Sequence, residues 1–128
     1  IRDALEKFNK FASLSDLLVA HNVSFDKRML FVEGIRNKIR MNVHDTYCTM
    51  KNSVELCNIE RTWPNGDVYI KYPTLSELHN KLFNKIPKNT HNALIDILLC
   101  MRCFVKIELN TDICRDNRTI RLMMREAY

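Results

Sequence analysis

Two short stretches of this sequence concentrate side chains that do chemistry. Residues 21–26 read His21-Asn22-Val23-Ser24-Phe25-Asp26, and residues 91–96 read His91-Asn92-Ala93-Leu94-Ile95-Asp96. An imidazole titrates near neutral pH and so can move a proton during a reaction. Carboxylate oxygens suit hard divalent cations. Each residue also has a plain structural reading. Asp26 follows a short apolar run and opens a helical pattern, where an aspartate serves as a cap. Asp96 lies near a helix start, where the helix dipole favours negative charge. A lone histidine before a helix is commonly a cap or a surface residue.

Asp96 is the more unusual of the two acids. It stands between Leu94-Ile95 and Ile97-Leu98-Leu99, and its helical neighbours are Ala93, Leu99, Cys100 and Cys103. A carboxylate buried on such a face is costly unless a cation, a lysine, an arginine or backbone amides pair with it.

Elements must deliver these groups. Residues 2 to 13 carry Ala4, Leu5, Phe8, Phe11 and Ala12, a stripe with the helical period of about 3.6. Leu17 to Ala20 form an unbroken apolar run that suits a strand buried on both faces. From Asp26 the pattern turns helical through Gly34. Met41 to Thr46 reads as a second strand, and residues 47 to 57 as a short helix and loop. Asn65-Gly66, ahead of Val68, Tyr69, Ile70 and Tyr72, signals a hairpin. Thr74 or Ser76 can cap a helix ending near Phe83. Residues 92 to 107 form the longest apolar helix, and the arginine-rich stretch 110–128 has room for one more. Alternating strands and helices indicate the α/β class. The expected division is a main domain over residues 1–109 and a basic tail or helix over 110–128.

Bulk properties set outer limits. The chain has 128 residues, enough for one compact domain with a real core but not for two. A net charge of +5 permits a polyanionic partner without requiring one. Five cysteines, an odd number, read as reduced thiols and hence an intracellular setting, cytoplasmic or nuclear. Cys100-x-x-Cys103 lacks a second pair at zinc-site spacing, so zinc is disfavoured. No apolar run approaches the roughly 20 residues of a membrane span.

Taken together, the two histidine–aspartate stretches resemble motifs of the DnaQ-like 3′–5′ exonucleases, in the subgroup with a catalytic histidine. That family's second motif reads H-N-x-x-F-D, matched by His21, Asn22, Phe25 and Asp26. Its third reads H-x-A-x-x-D, matched by His91, Ala93 and Asp96. Asp45-Thr46 and Leu75-x-x-Leu78 are also similar to the family, and the resemblance spans roughly residues 1 to 107. It implies an RNase H-like exonuclease domain that hydrolyses terminal phosphodiesters of DNA or RNA with two Mg²⁺ or Mn²⁺ ions. Asp26 and Asp96 would be metal ligands and His91 the general base. His21 and Asn22 would contact substrate, and Phe25 would pack beneath the site. Such ions, about 3.5–4 Å apart, suit an in-line displacement.

One part of the family pattern is missing. Its first motif, D-x-E on the first strand, supplies two further carboxylates, and no D-x-E occurs here. The thin sheet and the start on Ile1 lead to the expectation that the N-terminal strands of the domain are not among these residues. Weak metal binding and little catalysis are expected of these residues alone. The alternative is an inactive relative that binds nucleic acid, a polymerase or a larger parent polypeptide.

The basic residues carry two readings. Lys27, Arg28, Arg36, Lys38 and Arg40, with Arg115, Arg118, Arg121 and Arg125, can steer a phosphate backbone or form a solvated face. Trp63 and Tyr69 can stack on a base or pack the hairpin onto the core.

Overall fold

The computed structural model describes all residues, 1–128, and the chain divides into two compact units, Ile1–Cys48 and Thr49–Tyr128. The boundary therefore falls at residue 48, and no break occurs at residue 109.

The first unit is a helix followed by a β-α-β crossover. Helix α1 spans Arg2–Ser13, strand β1 Leu17–Ala20, helix α2 Val23–Arg36 and strand β2 Asp45–Cys48. β1 and β2 pair in parallel, from Leu17 opposite Asp45 to Ala20 opposite Cys48. A parallel pair needs a crossover, and α2 supplies it. Polar ties hold α1 to the segment before β2. Asn9 Nδ2 donates to the Arg40 carbonyl at 2.7 Å, and the Asn42 amide donates to Asn9 Oδ1 at 2.9 Å.

Three expectations for this unit are corrected. β1 is not buried on both faces: Leu17 is exposed and Leu18 to Ala20 are half-buried. The sheet has only two strands, and no third strand flanks either of them. The second strand begins at Asp45, not Met41. Met41 is buried for another reason: it sits against Gly34 near the end of α2, where the Ile39 amide also returns to the Gly34 carbonyl at 2.8 Å. Finally, α2 starts at Val23, three residues before Asp26, so Asp26 is not its cap.

The second unit is mostly helical. A 3₁₀ turn at Lys51–Ser53 leads into the one-turn helix α3, Val54–Cys57. Strands β3, Glu60–Thr62, and β4, Val68–Ile70, form the expected antiparallel hairpin, with Gly66 at φ 92° in its turn. Trp63 and Tyr69 stack on each other with ring centroids 4.4 Å apart, and Trp63 stays half exposed. Helix α4, Leu75–Phe83, opens on a reciprocal box: Thr74 accepts from the Glu77 amide and Glu77 accepts from the Thr74 amide.

Helix α5, Ala93–Leu109, is the spine of this unit. Its buried residues Ile95, Leu98, Leu99 and Cys103 recur at helical spacing. The stretch 110–128 folds onto it through helices α6, Ile113–Asp116, and α7, Arg118–Met123, and a 3₁₀ turn at Arg125–Ala127. Cys114, Met124 and Ala127 join Ile95, Leu98 and Leu99 in one core cluster. These residues are thus structural, while Arg115, Arg118, Arg121 and Arg125 point into solvent. All five cysteines are free thiols. Burial among apolar neighbours pushes the Cys103 thiol up to about 12 and keeps it unreactive. No helix is long and apolar enough to cross a membrane.

The Gly34 contact yields a test. A Cβ there would stand 2.7 Å from Met41 Cγ and 2.8 Å from the Ile39 carbonyl oxygen. The backbone atom cannot step aside as a side chain would. Gly34→Ala should destabilise the first unit by about 1–3 kcal/mol through overpacking. Amide hydrogen exchange at β1 and β2 should report it, with α5 unaffected.

Candidate functional site

The two histidine–aspartate hexapeptides occupy matching positions on their helices. Asn22 is the residue before α2 and Asn92 the residue before α5, so His21 and His91 each stand one place further out. Asp26 and Asp96 are both the fourth helical residue, one turn inside the N-terminus. There the unpaired amides and the helix dipole favour negative charge.

In the first unit, β1 ends at Ala20 and the chain reverses immediately. Asn22 takes φ 72° and ψ 53°, a left-handed conformation that asparagine tolerates better than most residues, and its side chain makes no capping bond. The turn brings His21 close enough to Asp26 for their charges to interact. Asp26 is half-buried, and burial raises its pKa; the backbone hydrogen bond and the His21 charge pull it down without cancelling that effect. Asp26 is therefore a carboxylate whose charge the fold penalises. Phe25, expected beneath the site, is 53% exposed and packs no floor there.

In the second unit, the loop of residues 84–92 leads into α5. Asn92 is extended and caps conventionally, accepting from the Leu94 and Ile95 amides at 3.1 and 3.3 Å. His91 takes φ 73°, and its ring is exposed in the loop ahead of the helix, as expected of a residue that need not share a helix face with Asp96. The His91 amide donates to Asp96 Oδ1 at 3.3 Å. Of the partners that would relieve a carboxylate on this apolar face, the structure supplies a backbone amide. Asp96 is half-buried; its helical neighbours Leu99 and Cys100 are buried, while Leu94 and Ile97 are exposed. The structure thus joins His91 to Asp96 and His21 to Asp26.

The donors fit Mg²⁺ or Mn²⁺ in kind, since both ions prefer carboxylate oxygen. In number they fall short: no group of three or more His, Cys, Asp or Glu residues that could hold a metal ion is gathered anywhere. Cys100-x-x-Cys103 forms no such group either.

A second polar assembly escaped the sequence reading. His79 on α4 is fully buried. Its Nδ1 lies 2.7 Å from the Lys85 carbonyl and its Nε2 2.5 Å from the Tyr128 hydroxyl. Arg102 on α5 donates to Tyr128 and grips Asp112 through Nε and Nη2 at 2.9 and 2.7 Å. Its guanidinium also lies 3.9 Å from the centre of the Phe83 ring. The available signal was Arg102 itself, a charge inside the apolar run Leu98 to Val105.

The chain matches no protein-family model, and no curated protein or solved structure matches it significantly.

Asp26 makes the electrostatic argument testable in the metal-free chain. His21→Ala removes a charge that lowers the Asp26 pKa, so that pKa should rise further, as read by carboxyl ¹³C titration. The linkage sign is that of an acid whose folded pKa lies above its unfolded value. The folded form then binds more protons, and stability declines as pH rises from the unfolded value toward the folded one. Asp26→Asn should therefore stabilise the first unit at neutral pH. A loss of stability would mean that the charged carboxylate is needed to hold α2 in place.

Proposed function

We propose that these residues form an exonuclease-type domain of the DnaQ-like, RNase H-like kind, acting on the 3′ end of DNA or RNA. The observation that carries the reading is the matched placement of the two motifs. Each puts an aspartate one turn inside a helix and a histidine just outside it, after a β-strand in one case and a left-handed turn in the other. A helix that only needs a start needs its cap, and Asn92 alone provides that for α5. The acid at the fourth position and the histidine before the cap are surplus to that need.

On this reading Asp26 and Asp96 are each metal-ligating carboxylates, for Mg²⁺ or Mn²⁺. Such an ion stabilises charge on the attacking and leaving oxygens of a phosphodiester. His91 accepts the proton of the attacking water at an imidazole nitrogen, a role that its exposure at the loop edge permits. Asp96, by accepting the His91 amide, restrains the backbone that carries this imidazole. His21 and Asn22, next to Asp26, are placed to meet substrate. The exposed arginines add a salt-dependent attraction for the nucleic-acid backbone.

A second reading has its own observation. Only two motif carboxylates and no D-x-E occur in the sequence, and no three ligating residues are gathered. That favours a module that binds nucleic acid or a polymerase without cutting.

Paramagnetic Mn²⁺ separates the readings from an unrelated fold. Titrated into ¹⁵N-labelled chain, it should broaden amides near residues 21–26 and 91–96 selectively. Asp26→Asn and Asp96→Asn should each remove their own set. A 3′-labelled oligonucleotide should be bound but degraded little by these 128 residues. Absence of selective broadening would sink the metal-ligand assignment. Binding of the oligonucleotide without any response to the ion would put the binding module first.

A further inference from the structure

The loop that carries His91 is held from outside its own helix. Its Lys85 carbonyl accepts from His79 Nδ1 on α4 at 2.7 Å. The Lys88 amide donates to the Ala127 carbonyl at 2.7 Å, and Asn89 Nδ2 donates to the Glu126 carbonyl at 2.5 Å. The Lys85 ammonium lies 4.2 Å from the centre of the Tyr128 ring. Asn89 and His91 both have positive φ, at 55° and 73°. A loop with two such residues does not hold one shape by local preference. Its shape is set by what grips it, and most of that grip comes from residues 126–128.

We propose that the Arg125–Tyr128 segment is a clamp that fixes the loop of residues 84–91 and so places His91, with Tyr128 and His79 as positioning residues. The inference rests on the reading of His91 as the general base.

The bonds have a fixed direction. A carbonyl only accepts, so His79 Nδ1 carries the proton toward Lys85, and Nε2 of the neutral ring must accept. Tyr128 then donates its hydroxyl proton to Nε2, and its oxygen accepts from Arg102. Arg102 is anchored in turn on Asp112. While His79 is neutral, its Nδ1–H, the Tyr128 hydroxyl and the Arg102 guanidinium each find an acceptor. Met124 and Ala127 seat the same segment in the core beside α5.

The relay also makes the clamp sensitive to acid. A protonated His79 would carry a hydrogen on Nε2, leaving the Tyr128 hydroxyl proton without its acceptor. It would also set a second cation 3.3 Å from Arg102 Nη1. The charged and titratable groups facing His79 are Arg102 from α5, Asp112 after α5, Lys85 from the loop and Tyr128. Burial chiefly lowers the His79 pKa, and the Lys85 carbonyl and Asp112 oppose this without reversing it. The folded state thus binds fewer protons than the unfolded. The clamp is at full strength above the ordinary histidine pKa of about 6.5 and weakens as pH falls below it.

The test is amide hydrogen exchange and ¹H–¹⁵N spectra of the whole 128-residue chain, with Tyr128→Phe and Asn89→Asp as variants. Tyr128→Phe keeps the ring and removes the relay; Asn89→Asp removes the donor to Glu126 from an exposed residue while keeping a side chain that tolerates the φ of 55° there. Protection at Lys88 and His91, taken relative to the intrinsic exchange rate at each pH, should fall at least about ten-fold in each variant, and on acidification to about pH 5 in the parent, while Leu98 to Cys103 keep theirs. The His91 ring resonances should move in both variants. Unchanged loop exchange would overturn the clamp, and so would a uniform loss of protection across residues 49–128. Mn²⁺ added to the same samples keeps the two ideas apart. A loop that responds while Asp96 shows no broadening leaves the clamp standing and removes the metal role of Asp96.

Discussion

A guanidinium held away from water must place its N–H groups, and in this protein that requirement organises the second unit. Arg102 sits in the middle of the most apolar helix, and its side chain is largely buried. Bidentate contact with Asp112 satisfies one edge, and Tyr128 takes another donor. Burial by itself would favour losing the charge, yet the Asp112 bonds and Tyr128 push the guanidinium pKa up from its ordinary value. Asp112 in the same act is held below the usual carboxylate range, first by Arg102 and then by the Cys114 amide. One charge thus pins the connection after α5, the Arg125–Tyr128 segment and, through His79, the loop after α4. No buried side-chain nitrogen or oxygen is left without a partner.

The two acids of the candidate site show how equal placement gives unequal chemistry. Both occupy the fourth position of a helix. Asp96 collects the His91 amide, because the loop before α5 is gripped elsewhere and can present that amide to it. Asp26 follows a tight left-handed turn whose asparagine caps nothing, and burial dominates its electrostatics. Asparagine at Asn22 thus serves conformation, while at Asn92 it serves capping. The same dipeptide, His-Asn, does different work in each unit.

Much of this was legible beforehand. Helix caps are local chemistry, so Thr74 and the hairpin turn at Asn65-Gly66 were readable from a few residues. The spine α5 was readable from its period. What failed depended on distant partners. Met41 and Val43 look like strand residues, but Met41 is spent against Gly34 and the ladder starts at Asp45. Leu17 to Ala20 look doubly covered, but their sheet stops at two strands. The stretch 110–128 reads as a basic tail or helix because four arginines recur along it every three or four residues. Cys114, Met124 and Ala127 are widely spaced in sequence and meet only when three short helical turns fold onto α5. His79 gave no signal at all until its partners at 85, 102 and 128 were brought to it.

The energetic contrast between the units bears on the proposed chemistry. Unit two has a continuous apolar cluster with Leu99 fully buried. Unit one buries Leu5, Val23, Met41 and Cys48, while Phe11, Leu14, Phe25 and Ile35 remain exposed. It relies on polar ties such as those of Asn9, each worth about 1 kcal/mol net. The penalised carboxylate, Asp26, lies in this sparsely packed unit. Any ligand that prefers the charged form of Asp26 offsets the burial cost and favours the folded state by mass action. On the proposed reading a divalent cation is such a ligand. Cation binding and ordering of the β1–α2 turn would then be two sides of one equilibrium, and the strain at Asp26 is what couples them.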